Sequence, residues 1–508
     1  MMLTSGGGPC QCRVTCKKRV ACRRSSAQNR IMRLYFMGIC GTAMGNVALM
    51  MRQLGHEVSG ADTGVYPPMS DLLAASGITV YDGYSAERLA SLAPDCVVVG
   101  NVISRGHPEM EWLLRTRALP YVSMPALLNQ MVLAERNPIV VAGTHGKTTT
   151  ATLAAYLLRA SGVASGHLIG GVPRDLPNGA DAGEAGQWFV IEGDEYDSAF
   201  FDKRSKFIHY CPRILVLNNL EFDHADIFRD LDDVKRTFSH LLRLVPDNGM
   251  IVVNADDANL ATLLPVSWAP CLSVGVAGEA DLRITGYTED DQGSRFALHW
   301  RGRHWATVEW GRAGLFNARN AAMAALAVGL ALHPDDPTRL PLECLAGFQG
   351  VKRRQDCLLE SAPCVIMEDF GHHPTAIDGT LESLRHRYPD HALVACFEPR
   401  SNTARTRVFQ ETLPAALAKA DRIYLGPVHR ATSLSSDQRL DLDAVVAAIN
   451  GEGSGLARAA HFADNAALKD QLLADIGQYA SPEQPWLVCF FTNGAFDGIV
   501  GQCVAGLR

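Results

Sequence analysis

The sequence of 508 residues lacks several features that would define other classes of protein. No apolar stretch reaches the roughly 18 residues of a membrane-spanning helix, so we expect no membrane insertion. The formal net charge of −7 at pH 7 argues against nucleic acid as the main partner. No short internal repeat is evident. The hydrophobic residues, 47% of the chain, can fill the cores of about three domains, and we expect a large soluble enzyme, as a monomer or weak homo-oligomer.

The fourteen cysteines do not form a disulfide framework. They are scattered singly, as is typical of a reducing cytoplasm, apart from Cys10, Cys12, Cys16 and Cys22. Residues 1–31 hold these four cysteines and seven basic residues, and they lack both acids and the apolar core of a signal peptide. No second cysteine pair at zinc spacing supports a metal site there. We interpret residues 1–31 as a disordered extension before a true start at Met32.

A glycine-rich turn at residues 143–150 predicts a phosphate-binding loop. It follows the apolar run Ile139–Ala142 and precedes the helix-forming stretch Ala151–Arg159. Backbone N–H groups and the positive end of a helix dipole meet at such a turn, where a triphosphate can bind. Position 141 is Val where the full pattern has Gly, so the match is to the short form, and a chance surface turn is the alternative. The predicted ATP ligands in the loop are Gly143, Thr144, His145, Gly146, Lys147, Thr148 and Thr149, with Lys147 on the terminal phosphates and Thr148 on Mg²⁺.

An earlier glycine-rich segment predicts a second binding site. A strand, the segment Gly38–Gly45, a helix and a strand ending at Asp62 form a βαβ opening. The glycine spacing differs from Gly-x-Gly-x-x-Gly, which makes a nicotinamide cofactor less favoured without excluding it. A further strand, starting at Cys96, leads into a polar loop where ligands of open α/β sheets bind. The predicted substrate-binding residues are Gly38, Gly41, Asp62, Asn101, Arg105 and His107.

Two strand ends downstream of the phosphate loop carry a high density of polar side chains. The strand Trp188–Ile191 leads into an acidic segment that begins at Glu192, and Ile214–Leu217 leads into a segment that ends at His224. Carboxylates this close together repel one another unless cations neutralise them. We therefore predict that Glu192 and His224, with Thr148, hold divalent metal; a solvated acidic turn is the alternative.

These motifs together resemble the Mur ligase family, from Met32 to the C terminus. The segments that carry the resemblance occur in the family's order: residues 143–150, 192–197, 218–224, 314–321, 350–354 and 369–374. The resemblance implies an α/β protein of three domains, with a Rossmann-like N-terminal domain, a phosphate-loop ATPase centre and a Rossmann-like C-terminal domain. We place a UDP-substrate domain at 32–135, an ATP-binding ligase domain at 136–350 and an amine-substrate domain at 351–508.

The resemblance also implies an activity. Mur ligases join an amine to a UDP-muramoyl carboxylate at the expense of ATP with Mg²⁺, and this chain resembles the branch that acts on UDP-N-acetylmuramate itself. Segments 192–207, 217–226 and 398–403 favour attachment of the murein tripeptide L-alanyl-γ-D-glutamyl-meso-diaminopimelate, in peptidoglycan recycling, over addition of free L-alanine in synthesis. Lys147, Thr148, Glu192 and His224 are the predicted catalytic residues.

Further residues take roles from the same resemblance. Asn317, Asn320, Arg353 and Asp369 are expected to contact ATP. The expected peptide-binding residues are His372, Arg400, Ser401 and Asn402; the base that deprotonates the amine is left open.

The chain departs from the family pattern at two positions, and two other classes of protein remain as alternatives to a ligase. Phe316 stands where many relatives have His, and Ser239 falls near the register of a carbamylated Lys found in other branches. The rivals are a phosphate-loop nucleotide switch without ligase chemistry and an oxidoreductase built on residues 38–62.

Overall fold

The computed structural model describes residues 30–65, 69–451 and 458–508. Apart from its last two residues, the predicted extension 1–31 lies outside these described residues. The described chain forms three large sheets, of five, ten and six strands, and a separate two-stranded hairpin. Each large sheet carries helices, so each is the centre of one α/β region.

The N-terminal region is a parallel sheet in the order β3-β2-β1-β4-β5. This is the strand order of a dinucleotide-type half fold. Parallel strands with helices on both faces are buried on both sides, which explains the continuous apolar run Leu34–Met37. The strands are β1 (Arg33–Met37), β2 (Glu57–Asp62), β3 (Thr79–Asp82), β4 (Cys96–Val99) and β5 (Tyr121–Ser123), and the helices are α1 (Thr42–Gln53), α2 (Met69–Ala75), α3 (Ala86–Leu92), α4 (Pro108–Thr116) and α5 (Met124–Met131).

The middle region is built on a mixed sheet in the order β17-β16-β15-β14-β13-β12-β6-β9-β7-β8. Its strands, with the hairpin β10–β11, are β6 (Asn137–Ala142), β7 (Gly166–Leu168), β8 (Ala180–Asp181), β9 (Trp188–Gly193), β10 (Asp197–Ala199), β11 (Asp202–Ser205), β12 (Ile214–Leu217), β13 (Met250–Asn254), β14 (Cys271–Gly275), β15 (Leu282–Asp290), β16 (Gly293–Trp300) and β17 (Arg303–Trp310). The helices are α6 (Lys147–Ala160), α7 (Leu231–Leu242), α8 (Ala258–Ala261) and α9 (Leu315–Leu332).

Helix α9 is the central helix of the middle region and packs against α6. By length and composition it could cross a membrane, the one such helix among the described residues, but 72% of it is buried inside the structure. The sequence of α9 is not an unbroken apolar run, because Asn317, Arg319 and Asn320 lie in its first two turns. The burial identifies it as a core helix.

The C-terminal region is a six-stranded sheet in the order β18-β19-β23-β20-β21-β22, parallel except for the edge strand β18. The strands are β18 (Asp356–Glu360), β19 (Cys364–Asp369), β20 (Ala392–Phe397), β21 (Arg422–Leu425), β22 (Ala459–His461) and β23 (Trp486–Phe491), and the helices are α10 (Pro374–Arg387), α11 (Leu413–Leu417), α12 (Leu442–Asn450), α13 (Asn465–Tyr479) and α14 (Ile499–Gly506).

The structure confirms the predicted three-part α/β fold and corrects one helix boundary. The helix after the phosphate loop begins at Lys147, not at Ala151. Its first turn therefore belongs to the motif itself, so that the side chains of Lys147 and Thr148 are fixed by helical backbone.

Candidate active site

A cleft of about 1360 Å³ lies between the middle and C-terminal regions. Strands β12, β6 and β9 are neighbours and parallel, so the segments that follow them meet at one edge of the sheet. Residues from all three segments line the cleft, and the segment after β19 faces them from the C-terminal region. The cleft therefore gathers residues of motifs that lie far apart in the chain, from Thr144 to His373.

The phosphate loop is held open by glycine backbone and by asparagine side chains. Gly146 has φ +76°, and a Cβ there would lie 2.6 Å from Asn320 Oδ1, so only glycine is accommodated. Asn219 Oδ1 accepts a hydrogen bond from the backbone N–H of His145 at 2.7 Å. Asn218 Nδ2 donates to Thr150 Oγ1 at 2.9 Å. These contacts tie the loop to the segment after β12.

Lys147 lies in a buried ionic cluster. Its Nζ donates to Gly143 O at 2.6 Å and to both oxygens of Glu195, at 2.9 and 3.0 Å. Burial lowers the pKa of Lys147, but the Glu195 carboxylate outweighs it, and the pKa is raised overall. Burial likewise raises the pKa of Glu195, but the charges of Lys147 and His224 outweigh it and lower the pKa. Both members of the pair are therefore charged.

Thr148 and Glu192 form the second polar pair of the loop. Thr148 Oγ1 donates to Glu192 Oε2 at 2.9 Å, and Gly170 N donates to Glu192 Oε1. Burial raises the pKa of Glu192 in spite of these two donors and the charges of Lys147 and Arg354. A hydroxyl beside an incompletely neutralised carboxylate is an oxygen donor set that suits Mg²⁺, which would restore the charged form.

His224 is held by a carboxylate that was not predicted as a metal ligand. It has φ +57°, and its Nε2 lies 3.1 Å from Glu195 Oε1. Burial lowers the pKa of His224, but the bond to Glu195 outweighs it and raises the pKa. His224 thus lines the same cleft as Glu192 and is held by Glu195, a residue that the sequence analysis did not select.

The C-terminal region contributes charged side chains of both signs. His372 Nε2 lies 3.5 Å from Asp223 Oδ2, and burial raises the pKa of Asp369 although Arg354 lies nearby. Asp369 accepts backbone hydrogen bonds from Gln355 (2.9 Å) and Gly371 (2.7 Å), so it fixes the loops at the cleft wall.

Arginines line the same wall. Arg354 is the residue of this wall that approaches Thr148, with Nη2 3.5 Å from Thr148 Oγ1. Arg353, which was predicted to contact ATP, also lines the cleft, and its Nε donates to Glu368 at 2.7 Å.

The remaining predicted nucleotide contacts also line the cleft. Asn317 is held by a hydrogen bond from its Nδ2 to Ala313 O at 2.7 Å, and Asn320 abuts Gly146. Phe316 lies on the cleft wall, where it packs near Gly314 and Gly379. Ser239 bonds to its own helix, with Oγ donating to Arg236 O at 2.7 Å, and is not among the described residues that line the cleft.

A second cleft, of about 350 Å³, lies at the glycine-rich loop of the N-terminal region. Gly38, Gly41, Asp62 and Asn101 line it, as predicted residues of one site. Asp62 Oδ2 accepts a hydrogen bond from Cys40 N at 2.9 Å, so this carboxylate orders the loop. Thr42 lines both clefts, which therefore meet at the start of α1.

The other two predicted substrate residues of the N-terminal region lie elsewhere. Arg105 is exposed and pairs with Glu111 at 2.8 Å. His107 accepts a hydrogen bond from Met110 N and caps helix α4, with its ring 4.1 Å from that of Tyr84. Neither is among the described residues that line the two clefts.

The predicted peptide-binding loop lies beside the large cleft. Arg400 Nη1 lies 3.3 Å from Glu398 Oε1, and the Arg400 side chain covers Gly494, where a Cβ would collide with it. Asn402 Nδ2 donates to Asp226 Oδ2 of the middle region at 2.7 Å, and Ser401 Oγ accepts from Ala404 N at 3.0 Å. His372 lines the large cleft, whereas Arg400, Ser401 and Asn402 are not among its described lining residues.

Fold and cleft together define a three-region α/β protein of the phosphate-loop class. Three family models match the chain in order: "Mur ligase family, catalytic domain" over residues 33–136, "Mur ligase middle domain" over 141–328 and "Mur ligase, glutamate ligase domain" over 353–480. The chain belongs to the Mur ligase family.

The similar proteins fall into two groups, which differ in the amine that their names give. The UDP-N-acetylmuramate–L-alanyl-γ-D-glutamyl-meso-2,6-diaminoheptanedioate ligase of Escherichia coli (strain K12) is 43% identical over 404 residues, which cover 78% of this chain and 86% of that protein. The UDP-N-acetylmuramate–L-alanine ligase of Desulfosudis oleivorans is 30% identical over 398 residues, covering 78% and 83%. The crystal structure of a murein peptide ligase from Psychrobacter arcticus 273-4 is 34% identical, with a TM-score of 0.68 over 94% of this chain and 98% of that one.

Proposed function

We propose that the chain is an ATP-dependent amide ligase that joins UDP-N-acetylmuramate to the tripeptide L-alanyl-γ-D-glutamyl-meso-diaminopimelate, giving ADP and phosphate. The observation that carries the choice of amine is the difference in identity: 43% to a relative named for the tripeptide against 30% to one named for L-alanine, over similar shares of the chain. The phosphate loop and the acidic strand ends in one cleft support the use of ATP.

The first step is activation of the muramoyl carboxylate. A carboxylate is a poor electrophile, so its oxygen attacks the γ-phosphorus of ATP and ADP leaves, which yields an acyl phosphate. Lys147 carries a charge beside the loop and stabilises the transferred phosphoryl group. Thr148 and Glu192 would hold Mg²⁺, with His224 beside them, and the ion when bound neutralises charge on the phosphates.

The second step is attack of the peptide amine on the acyl phosphate. The amine forms a tetrahedral intermediate, which expels phosphate to leave the amide. The substrate carboxylate enters from the N-terminal cleft, because the two clefts meet at Thr42.

Arg400 is the proposed anchor for the far end of the tripeptide. The diaminopimelate end carries a carboxylate that needs a cationic partner when it is enclosed. Arg400 is 28% exposed at its side chain, and Glu398 holds it by one guanidinium nitrogen. A planar guanidinium has further N–H groups for a second carboxylate.

The decisive experiment measures phosphate release by the purified enzyme with ATP, Mg²⁺ and each substrate combination. We expect phosphate release only when UDP-N-acetylmuramate and an amine are both present. The kcat/KM for the tripeptide should be at least about 100-fold above that for L-alanine, because one charged anchor contributes roughly 2–3 kcal/mol to binding. A better rate with L-alanine would assign the chain to synthesis. Release without either substrate would favour a nucleotide switch.

A variant of the anchor tests the assignment within the same assay. We expect Arg400→Ala to reduce kcat/KM for the tripeptide about 10- to 100-fold and to leave the slow use of L-alanine within about twofold. Arg430→Ala, which removes an arginine that directly precedes the 3₁₀ segment Ala431–Ser433, is the matched control. An equal loss with both amines would return Arg400 to a structural role.

A further inference from the structure

Two imidazoles and a carboxylate meet where the phosphate loop faces the C-terminal region. His145 Nε2 lies 2.7 Å from Glu221 Oε2, and His373 Nδ1 lies 3.3 Å from the same oxygen. One donor atom from each of the three residues lies within 4.8 Å of the other two. The three residues come from the phosphate loop, the segment after β12 and the start of helix α10, so the cluster joins two regions of the chain.

The chemistry of this cluster differs from that of the predicted Mg²⁺ site. Thr148 and Glu192 offer oxygen, which Mg²⁺ prefers. Two imidazoles with one carboxylate are the donor set of zinc and neighbouring transition metals, and three protein ligands leave a position for water. The cluster is therefore suited to a different ion from the one proposed for phosphate transfer.

The ligand atoms are held in place by contacts outside the cluster. The backbone of His145 is fixed at N–H by Asn219 Oδ1 (2.7 Å) and at C=O by Asn219 Nδ2 (3.2 Å). The His373 ring packs between the rings of His145 and Phe409, at 4.5 and 4.6 Å. Such outer contacts orient metal ligands before the ion arrives and reduce the cost of binding.

We propose that His145, Glu221 and His373 bind a zinc-class divalent ion and that this ion fastens the phosphate loop to helix α10. Binding replaces the hydrogen bond between His145 and Glu221 and the long one, 3.3 Å, from Thr375 N to His373 Nδ1. Thr375 Oγ1 keeps its bond to the second oxygen of Glu221, at 3.0 Å, so the carboxylate stays oriented. Binding forms one coordinate bond from each of the three ligands, and His145 binds through Nε2 as the neutral tautomer that carries its proton on Nδ1.

The test counts bound zinc on the full-length chain by equilibrium dialysis, with excess Mg²⁺ to saturate oxygen sites. The variants are Glu221→Gln, which keeps shape and hydrogen bonding, and His373→Asn, which preserves the helix cap. We expect each variant to bind one zinc ion fewer than the wild type or to hold that ion at least about tenfold more weakly. Subtraction from the wild-type count removes zinc held by cysteines elsewhere.

The matched control is His461→Asn. His461 Nε2 lies 2.9 Å from Asp443 Oδ1, so this variant also removes an imidazole that contacts a carboxylate. Among the described residues, this pair does not belong to a cluster of three possible metal ligands. Its zinc count should equal that of the wild type. Equal counts and Kd values in all four proteins, with folding checked by circular dichroism, would overturn the proposal and leave the cluster as an ordinary hydrogen-bonded contact.

A kinetic consequence rests on the proposed ligase activity, whereas the ion count does not. A bound ion should slow turnover because the two regions must separate to exchange nucleotide. His373→Asn should then need at least about tenfold more Zn²⁺ for the same fractional inhibition. An unchanged inhibition curve beside a lost ion would reject the fastening role alone.

Discussion

The N-terminal region and the large cleft each bury a glutamate, and the pKa values of the two carboxyl groups are shifted in opposite directions. Glu109 is 0% exposed, and burial raises its pKa although Ser85 N, Tyr35 and Arg88 approach it. Glu195 is 3% exposed, but Lys147 and His224 outweigh burial and lower its pKa. Two close cationic partners therefore separate a buried carboxylate whose pKa is lowered from one whose pKa is raised.

This contrast distinguishes a functional acid from a structural one. A buried charge is costly, and the fixed cations beside Glu195 offset that cost at a cleft where charge is used. Around Glu195 the charge orients Lys147 at the phosphate loop and His224 beside Glu192. Around Glu109 the hydrogen bonds connect β1, α3 and α4, which holds the N-terminal sheet together without a charged partner closer than 3.5 Å.

The strongest test of the contrast is Lys147→Ala. We expect kcat for phosphate release to fall at least about 1000-fold, because the variant removes a charge that acts mainly in the transition state. The exposed Lys203, which pairs with Asp197, supplies the control Lys203→Ala, whose activity should stay within about twofold. Near-normal turnover by a folded Lys147→Ala protein would make the buried pair structural, as at Glu109.

A second test addresses the proposed metal ligands. Glu192→Gln and His224→Ala should each lower kcat/KM about 100-fold and raise the Mg²⁺ concentration for half-maximal rate, since a weaker donor set must be compensated by more ion. Activity is titrated with Mg²⁺ at saturating ATP. If both titration curves kept their midpoints, the acidic strand end would be a solvated turn.

A third test is Glu195→Gln, which substitutes the carboxylate that contacts both Lys147 and His224. The substitution keeps hydrogen bonding to Lys147 and His224 but removes the charge between them, so we expect kcat to fall about tenfold, less than at Lys147 itself. His224 should also lose the raised pKa that Glu195 causes. An NMR titration of His224 follows this directly, and an unshifted curve would show that Glu195 does not control it.

Much of the fold was predictable because each strand of a parallel sheet is a short apolar run. The predicted strand Ile214–Leu217 matches β12, and the predicted strand Trp188–Ile191 matches the first four residues of β9. The meander β15–β17 was not assigned, because its residues alternate between buried and exposed sides and include polar ones. Periodicity of this kind is weak when half of the pattern faces solvent.

The site was predictable where a motif is local and not where residues meet through space. The phosphate loop and the acidic segment were found from contiguous residues. Glu195 and Glu221 were passed over, although both lie inside quoted motifs, because their roles depend on Lys147 and His373, which only the fold brings near. Arg105 and His107 were selected for chemistry and position alone, and the structure gives them partners outside the clefts.

The smallest expected effect belongs to Glu109→Gln and concerns stability. Its folded pKa lies above the ordinary value of 4.5, so Glu109 favours folding fully below pH 4.5 and loses that contribution as pH rises through the folded pKa. Oε2 has no hydrogen-bond partner among the described residues, which leaves the ionised form poorly compensated. Glutamine avoids ionisation, and we expect the Tm of the variant relative to the wild type to increase as pH rises above 4.5.

Glu111→Gln provides the control of opposite sign on the same helix. The hydrogen bond from Arg105 lowers the pKa of Glu111 to about 2, so its contribution is present above pH 4.5 and is lost as pH falls toward 2. Because Glu111 is only partly buried and its partner Arg105 is exposed, the effect should be small and should shrink in salt, whereas that of the buried Glu109 should not. Melting curves of both variants against pH, at low and high salt, measure the two slopes. If Tm changed with pH in the same direction for both variants, burial would not raise the pKa of Glu109. The contrast with Glu195 would then rest on geometry alone.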